Sequence, residues 1–500
     1  MLTSSPVVLC TTFMILAMVY AATLRTRCSK LPLPPGPHKL PLVGNLFDVP
    51  STFQWQTYAR WSKQYDSDII HLNLAGTSVI VLSSLEATDA LLEKRSSLYS
   101  DRDALTMVTE LMGWYFDIGR THRRLFNQSF NVKASRKYEP QELTGTHVLL
   151  GRLLSTPKGF MDHFRQMAGE IIMSVTYGID VLPSDDPYVT LAHKANTFPI
   201  LKHIPRWFPG AGFKRQAEEW LNLSRGMLEL PFAETKRQMD SGTAPPSFTA
   251  DSLHALNDPD KQPYYNEHHV QQTAGTMYIG GADTTVSALG TFVLAMLANP
   301  TAQKKAQAEI DELTGGRYLP TFEDEASLPY VPALVKEVMR WENVAPIAIP
   351  RLLATEDEYR GYRLPAGSLV VGNAWAILHN ENVYPDPHAF KPERFLLDGK
   401  LNPAVRNPEA AFGFGRRQCP GRHLALSSIW ITVASILATF DISKAVDEDG
   451  RVIEPSHEYL SGIITTPLPF KCSFTPRSQE AIALIKAAVK DDYRAQPKHK

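Results

Sequence analysis

The chain has 500 residues and a formal net charge of −1 at pH 7, with 44% hydrophobic and 21% charged residues. This composition is typical of a globular protein with a sizeable core, and no basic block or aromatic-basic stripe indicates nucleic-acid binding. The cysteines are too few and too scattered for a disulfide framework, so any of them is available for chemistry: Cys10, Cys28, Cys419 and Cys472.

The amino-terminal segment predicts a membrane anchor. Residues 1–24 contain no charged residue, and the apolar stretch from Val7 to Leu24 is long enough to cross a bilayer as a helix. By the positive-inside rule, the basic residues that follow keep this flank in the cytosol: Arg25, Arg27 and Lys30. A cleaved signal peptide is the alternative, but its charges would precede the apolar run. We therefore expect an uncleaved anchor over residues 1–24 and a stiff basic, proline-rich hinge over residues 25–37.

The remaining pattern predicts a mostly helical body with small sheets. Apolar alternation between Asp66 and Ser83, broken by Gly76, predicts an early β-hairpin. Residues 359–371 predict a second strand-and-turn region, and residues 463–474 an extended end. Helical periodicity dominates elsewhere, including residues 84–94, 157–176, 268–297 and 303–313. The fold class is therefore expected to be mainly α with small β-sheets, preceded by one transmembrane helix.

The segment from Phe412 to Gly421, FGFGRRQCPG, carries the clearest chemical signal. Cys419 lies between glycine-rich backbone and a proline that opens a predicted helix over residues 421–432. Glycines permit close approach to a flat ligand, while arginines and a helix amino terminus favour a thiolate. A thiolate that ligates haem iron favours O–O cleavage. The alternative is a loop with a structural cysteine.

Two further motifs lie upstream in helical segments. Residues 280–285, GGADTT, place two glycines and an acid–hydroxyl pair in a helix interior, where they are locally unfavourable. This favours a widened or kinked turn with room for small molecules, and the alternative is a packing groove between helices. Glu337 and Arg340 lie on one helical face, which by itself indicates a solvated surface pair.

Together, these segments resemble the cytochrome P450 family in kind and in order. The resemblance extends from the anchor to about Pro476 and is strongest to fungal, basidiomycete-like, membrane-bound monooxygenases of secondary metabolism. Such members include those similar to O-methylsterigmatocystin oxidoreductases and to tryptamine hydroxylases. The family signature maps onto Phe412, Gly415, Arg417, Cys419 and Gly421.

The resemblance implies a haem b cofactor with Cys419 as the axial iron ligand and Arg417 in contact with a propionate. Thr284 would hydrogen-bond bound dioxygen, and Asp283 would belong to the proton relay. The family pattern adds further cofactor-binding candidates, which are Phe412, Gly415, Arg123, His122 and Arg351.

The resemblance also implies a structural network and a substrate pocket. Glu337 and Arg340 would form a buried network with Arg394 of the Pro-Glu-Arg-Phe stretch, bracing the haem-binding core. Residues 344–349 and 461–465 would line a pocket whose small apolar side chains indicate a hydrophobic or aromatic substrate.

The chain departs from the family in two places. Gly119 takes the position of a tryptophan that relatives carry four residues before an arginine, and the connection near Asn196 is short. We interpret both as segments lost by mis-splicing or by an error of gene prediction, a hypothesis that sequencing of the transcript tests. The departures bear on haem retention and substrate capture, whereas the chemistry of Cys419 is unaffected.

The implied function is insertion of one oxygen atom from O₂ into an organic substrate with electrons from NADPH. The chain has no flavin or nicotinamide fingerprint, so a separate NADPH–cytochrome P450 reductase is expected, with cytochrome b5 as a further candidate partner. Basic residues near the thiolate would meet an acidic partner: Arg416, Arg417 and Arg422.

A single-pass protein of the endoplasmic reticulum membrane is expected, with a cytosolic catalytic domain over residues 38–476 and a polar tail over residues 477–500. Two alternatives stay open: a haem-thiolate isomerase or dehydratase that needs no reductase, and a haem-binding pseudo-enzyme. The Asp283–Thr284 pair argues against the first, and reductase-dependent turnover would discriminate against both.

Overall fold

A computed structural model describes residues 31–102, 120–179 and 212–495 of the chain. The predicted membrane anchor and the departures near Gly119 and Asn196 lie outside the described residues. The described end of the predicted hinge forms neither helix nor strand before Leu40, in keeping with its prolines.

The chain divides into two compact units. The first consists of Met1–Asp103 and Ile349–Asn373, and the second of Ala104–Ala348 and Ala374–Lys500. The first unit contains the largest sheet among the described residues, while the second contains most of the described helices.

The sheet of the first unit has the strand order β1-β2-β6-β3. β1 (Ile69–Leu74) and β2 (Thr77–Leu82) pair as an antiparallel hairpin, because runs rich in β-branched and other apolar residues lie on both sides of a glycine turn. This confirms the predicted early hairpin. β2 also pairs in parallel with β6 (Leu369–Gly372), which pairs antiparallel with β3 (Arg351–Leu352).

Short elements complete the first unit. The second strand-and-turn region is confirmed as two short strands that pair antiparallel through a turn at Arg360 and Gly361, both with positive φ. The helix predicted over residues 84–94 begins with a serine cap, since Ser84 Oγ accepts from Ala87 N at 3.0 Å, but its second half is a π-helix, Asp89–Lys94. The remaining elements are α1 (Gln54–Gln64), α2 (Leu85–Thr88), β4 (Asp357–Tyr359) and β5 (Tyr362–Leu364).

The second unit is mainly helical, which confirms the predicted fold class for the described residues. Its helices are α3 (Arg120–Phe130), α4 (Glu139–Ser155), α5 (Phe160–Tyr177), α6 (Gly212–Asp240), α7 (Phe248–Asn257), α8 (Glu267–Ala298), α9 (Pro300–Thr314), α10 (Tyr330–Trp341), α11 (Ala374–Leu378), α12 (Arg422–Thr439) and α13 (Gln479–Ala495). Its strands form two-residue to five-residue ladders: β7 (Leu396–Leu397) with β8 (Lys400–Leu401), β9 (Phe440–Lys444) with β12 (Cys472–Pro476), and β10 (Tyr459–Leu460) with β11 (Thr466–Pro467).

Helix α8 forms the centre of the second unit. Asn266 begins it with a capping box, in which its side chain accepts from His269 N at 3.1 Å. Its carboxyl-terminal half is apolar on every face and buried, as in a core helix. Among the described residues, α8 and α12 are long and apolar enough to span a membrane, but 67% of each apolar window is buried inside the protein.

The segment predicted as a polar tail contains helix α13, which packs along α4. Ala481 and Ile485 are buried, and they recur at helical spacing on one face. At the other end of α13, Asp492 Oδ2 lies 2.9 Å from His147 Nδ1 on α4. The four-residue spacing of apolar residues is the sequence signal for this helix, although the surrounding charges obscure it.

A carboxyl group is buried where α4 packs against α12. Glu142 is 0% exposed, and burial raises its pKa to about 8. The hydroxyl groups of Ser427 and Ser428 on α12 offset part of this shift. The Ser427 hydroxyl donates its hydrogen bond to the Leu424 carbonyl, so it does not supply the Glu142 carboxylate with a full hydrogen bond.

Replacing Glu142 by glutamine is expected to stabilise the protein in a pH-dependent way. The unfolded pKa of a glutamate is about 4.3. Between that pH and the folded pKa of Glu142, the folded chain keeps a proton that the unfolded chain releases. The free energy of unfolding therefore falls by up to about 1.4 kcal/mol for each unit by which the pH rises. Glu142→Gln removes this loss. Thermal unfolding followed by circular dichroism should show a Tm advantage that grows from pH 5 to pH 8. The exposed Glu448→Gln is the control, and a Glu142→Gln advantage that is the same at every pH would contradict the expectation.

Candidate functional site

The segment Phe412–Gly421, here termed the Cys loop, folds back on itself. Two 3-10 turns flank Gly413, whose φ of 82° requires a residue without a side chain. The Cys419 N–H donates to the Phe412 carbonyl at 2.8 Å, and the Gln418 N–H donates to the Gly415 carbonyl at 2.9 Å. The cysteine is therefore fixed by the backbone of its own loop. The predicted helix after it begins at Arg422 and continues beyond the predicted end to Thr439, because its later turns are part of the core.

Opposing electrostatic effects act on the Cys419 thiol. Its side chain is half-buried, and desolvation raises the pKa of the thiol. The N–H of Gly421 and the positive charges of Arg123 and Arg422 act in the other direction. The groups that favour a thiolate are thus in place, although in the protein alone burial outweighs them.

Helix α3 contacts the Cys loop directly. Arg123 Nη1 donates to the carbonyl of Gln418, the residue before the cysteine, at 3.0 Å. His122 points elsewhere, since its ring centroid lies 5.1 Å from that of His269 in the first turn of α8. Arg123 and His122 are neighbouring cofactor-binding candidates, but Arg123 contacts the Cys loop whereas His122 faces the start of α8.

The GGADTT segment forms an accessible stretch of helix α8 directly before its buried second half. Residues 281–284 are half-buried and Gly280 is exposed, whereas Thr285–Leu297 is buried throughout. Thr284 Oγ1 donates to the Gly280 carbonyl at 2.7 Å. The helix remains α-helical across the segment.

The two glycines of this segment have different surroundings. A Cβ atom on Gly281 would lie 2.8 Å from Ile172 Cδ1 on α5, so the packing-groove interpretation applies to Gly281. A Cβ atom on Gly280 would meet nothing within 4 Å. Gly281 therefore allows α5 and α8 to approach closely, while Gly280 borders open space.

These residues fit a flat haem group with one protein ligand. Helix α8 packs against α12, which begins directly after the Cys loop, so the accessible stretch of α8 and the cysteine belong to neighbouring elements. Gly413 and Gly280 both border open space, and Arg123 supplies positive charge beside Cys419. A thiolate-ligated porphyrin requires these conditions: space for the ring, a sulfur ligand and cations for its carboxylates.

A buried ion network braces the second unit. Glu337 and Arg340 are both 0% exposed, and Arg340 Nε donates to Glu337 Oε2 at 2.7 Å. Arg394 Nε donates to Glu337 Oε1 at 3.1 Å. The five N–H groups of Arg340 are all used, by Glu337 and by the carbonyls of Leu378, Pro387 and Ala389. A solvated surface pair does not describe side chains that are fully buried.

The two segments predicted to line the pocket contact each other. The Thr465 N–H donates to the Val344 carbonyl at 2.9 Å, and Ser287 Oγ on α8 donates to the Thr465 carbonyl. Arg351 belongs to the first unit, where it is 3% exposed and Nη1 donates to the Leu92 carbonyl at 3.2 Å. Sequence reasoning missed Ser287 and the Gln418 carbonyl, and a main-chain acceptor leaves no signal in the residue type.

Comparison with known proteins identifies the family. Residues 34–474 match the family described as Cytochrome P450. Cytochrome P450 monooxygenase 98 of Postia placenta is 47% identical, over 93% of this chain and 94% of that protein. Tryptamine 4-monooxygenase of Psilocybe cyanescens is 41% identical, over 93% of this chain and 97% of that protein. The chain therefore belongs to the cytochrome P450 family.

Membership confirms the family predicted from the motifs. The family binds haem, and its members are oxidoreductases that incorporate oxygen, so the chain is a cytochrome P450 monooxygenase in class. Cytochrome P450 monooxygenase ple1 of Rhodocybe pseudopiperita is a further relative, 43% identical over 91% of each chain. Relatives of this kind, all from basidiomycetes, match the predicted fungal subgroup.

The two glycines of α8 provide a matched pair of substitutions. Gly281→Ala should lower stability by about 1–3 kcal/mol, because its methyl group would overlap Ile172. Gly280→Ala should be neutral or stabilising by up to about 1 kcal/mol, because alanine is the better helix former and the space is open. Both values follow from chemical unfolding monitored by circular dichroism.

The double variant Gly281→Ala/Ile172→Ala tests the cause. If the overlap is responsible, its destabilisation should be smaller than the sum of the two single effects. Equal losses for Gly280→Ala and Gly281→Ala would show that the two positions do not differ as described.

Proposed function

We propose that the chain is a membrane-anchored haem-thiolate monooxygenase that inserts one oxygen atom from O₂ into a hydrophobic or aromatic secondary metabolite. The supporting observation is Cys419, held by its own loop beside Arg123 in a chain of this family. A bound haem would supply oxygen activation, and Cys419 would hold its iron through the thiolate sulfur. The residues that would hold the haem are Arg417, Phe412, Gly415 and Arg123, all of the second unit.

Thr284 and Asp283 would deliver the proton that oxygen insertion requires. Thr284 Oγ1 donates its own proton to the Gly280 carbonyl, which leaves its lone pairs available to accept a hydrogen bond from water or from a ligand. Asp283 is half-buried beside it and would pass protons inward from solvent. The presence of this pair favours oxygen insertion over the reductase-free isomerase alternative.

Electrons would come from NADPH through a separate reductase, with cytochrome b5 as a second donor. This rests on the absence of a nicotinamide or flavin fingerprint in the sequence. Arg416 is exposed on the Cys loop, where a basic docking face for an acidic partner would lie. The apolar segment at residues 1–24 and the basic residues after it support a single-pass location in the endoplasmic reticulum membrane, with the catalytic domain cytosolic.

The relatives support an aromatic substrate class. One of them is a tryptamine 4-monooxygenase, whose name describes oxidation of an aromatic amine. Tryptamine is therefore a reasonable first compound in a substrate screen, alongside neutral aromatic compounds of similar size.

The carbon monoxide difference spectrum of reduced microsomes tests the thiolate. The wild-type chain should show the red-shifted Soret band of thiolate-ligated haem, and Cys419→Ser should abolish it because the sulfur ligand is lost. Cys472→Ala is the matched control, since Cys472 is buried in β12, and should retain the band. A wild-type spectrum without this band would refute the proposed function and favour the pseudo-enzyme alternative.

The role of Thr284 is tested by the fate of reducing equivalents. With reductase and a compound that binds the haem-loaded enzyme, Thr284→Ala should keep oxidising NADPH, but the electrons should reduce O₂ to hydrogen peroxide instead of forming oxidised product. The ratio of peroxide to NADPH should rise by about fivefold or more, because proton delivery fails. Thr284→Ser retains the hydroxyl and should behave like the wild type. Unchanged coupling in Thr284→Ala would remove Thr284 from the proposed relay.

A further inference from the structure

The hairpin Tyr459–Pro467, here termed the pocket hairpin, is too small to hold its own position. Its ladder has two residue pairs, Tyr459 opposite Pro467 and Leu460 opposite Thr466. Two-stranded hairpins of this size are marginally stable in isolation, so contacts with other elements must fix this one. Leu460 at the end of β10 is 59% exposed, and Ile463 in the turn is 73% exposed.

One face of α8 provides these contacts. The Tyr459 hydroxyl donates a hydrogen bond of 3.2 Å to Thr291 Oγ1. Ser287 Oγ donates a hydrogen bond to the Thr465 carbonyl. Gly290 allows a close approach, since a Cβ atom on it would lie 3.3 Å from Pro467 Cγ. Ser287 and Thr291 are four residues apart and so lie on the same helical face. The hairpin is thus attached to α8 at two successive turns.

The spacing along α8 relates these contacts to the proposed oxygen site. Ser287 follows Thr284 by three residues and lies about 4.5 Å further along the helix axis, whereas Thr291 lies about 10 Å along it. The Tyr459–Thr291 bond therefore acts about two turns away from Thr284. Only a ligand large enough to extend along α8 would reach the part of the hairpin that this bond holds.

The Tyr459 hydroxyl remains a donor whatever the charge of its neighbour. Burial and the negative charge of Glu342 both raise the pKa of Tyr459, so its proton stays in place. Burial raises the pKa of Glu342 itself to about 7, against the influence of Arg340. Thr291 is fully buried, which makes the loss of its partner costly.

We propose that Tyr459 and Thr291 form a latch that fixes the pocket hairpin relative to Thr284 and thereby determines the affinity for large substrates. Both are positioning residues, because they act through the exposed residues of the hairpin turn rather than on the reacting atoms. The effect on ligands rests on the proposed function, since it requires a haem pocket beside α8. The latch itself does not require a bound haem.

The latch is tested first without reference to catalysis. Tyr459→Phe and Thr291→Val each remove one partner and keep the shape of the side chain. Hydrogen–deuterium exchange of the peptide that covers residues 459–467 should become about fivefold faster in either variant, as expected for the loss of one buried hydrogen bond. Exchange of the Cys loop peptide should stay the same. The control Tyr318→Phe removes a hydroxyl from a tyrosine that is 39% exposed and should leave the hairpin unchanged.

Binding spectra of the haem-loaded protein then test the effect on ligands. Imidazole is the small probe and clotrimazole the large one, and each is titrated by its type II difference spectrum. The clotrimazole Kd should rise about fivefold in each single variant while the imidazole Kd stays within about twofold. The double variant should be no worse than either single variant, because both remove the same bond.

The possible outcomes separate the two proposals. Unchanged hairpin exchange, additive effects in the double variant, tighter clotrimazole binding, or equal losses for both ligands would each overturn the latch. A wild-type protein without the thiolate band would refute the proposed monooxygenase, and the exchange experiment would still decide whether the latch exists.

Discussion

The guanidinium of Arg340 is fully buried and is held by the Glu337 carboxylate and by main-chain carbonyls. A buried charge is tolerated only when its hydrogen bonds are satisfied, so the backbone around it has little freedom. One of these carbonyls is that of Leu378 at the end of α11, and α11 packs against the 3-10 turn Glu409–Phe412. That turn supplies the oxygen that accepts the Cys419 N–H. The sulfur position therefore depends, through one helix and one turn, on an ion pair that takes no part in chemistry.

The spacing of residues along helix α8 sets the distance between the proposed oxygen site at Thr284 and the pocket hairpin. Gly281 lets α5 approach, and the neighbouring Gly280 leaves open space at the same level of the helix. Nearly two turns later Ser287 holds the pocket hairpin, and a further turn later Thr291 holds it again. Because an α-helix is stiff over this length, the distance between the proposed oxygen site and the pocket hairpin is set by residue count. Insertion or deletion of one residue in this stretch would rotate the contacting side chains to another face of the helix.

Local sequence signals predicted the elements that depend on local chemistry. The hairpin β1–β2 follows from a strand-like pattern on both sides of a turn, and α8 follows from its helical periodicity. The spacing of Cys419 from its arginines and glycines identified the family. Contacts that join distant segments through main-chain atoms were not predictable, as with the Gln418 carbonyl or the Thr465 carbonyl, since any residue type supplies the same oxygen. Helix α13 was missed for another reason, because the charged residues from Lys490 to Arg494 indicated a polar tail, although residues 481–485 are all apolar.

The link between α3 and the Cys loop does not depend on the residue type at Gly119, where the chain departs from the family. The resemblance implies that the missing tryptophan bears on haem retention, whereas Arg123 in this chain bonds to the Gln418 carbonyl. This bond joins α3 to the residue before the cysteine and involves no other side chain. Phe126 adds apolar packing one turn later, close to Gly421. The Cys loop is therefore joined to α3 by Arg123 itself, and the departure near Gly119 is expected to affect haem retention and not this link.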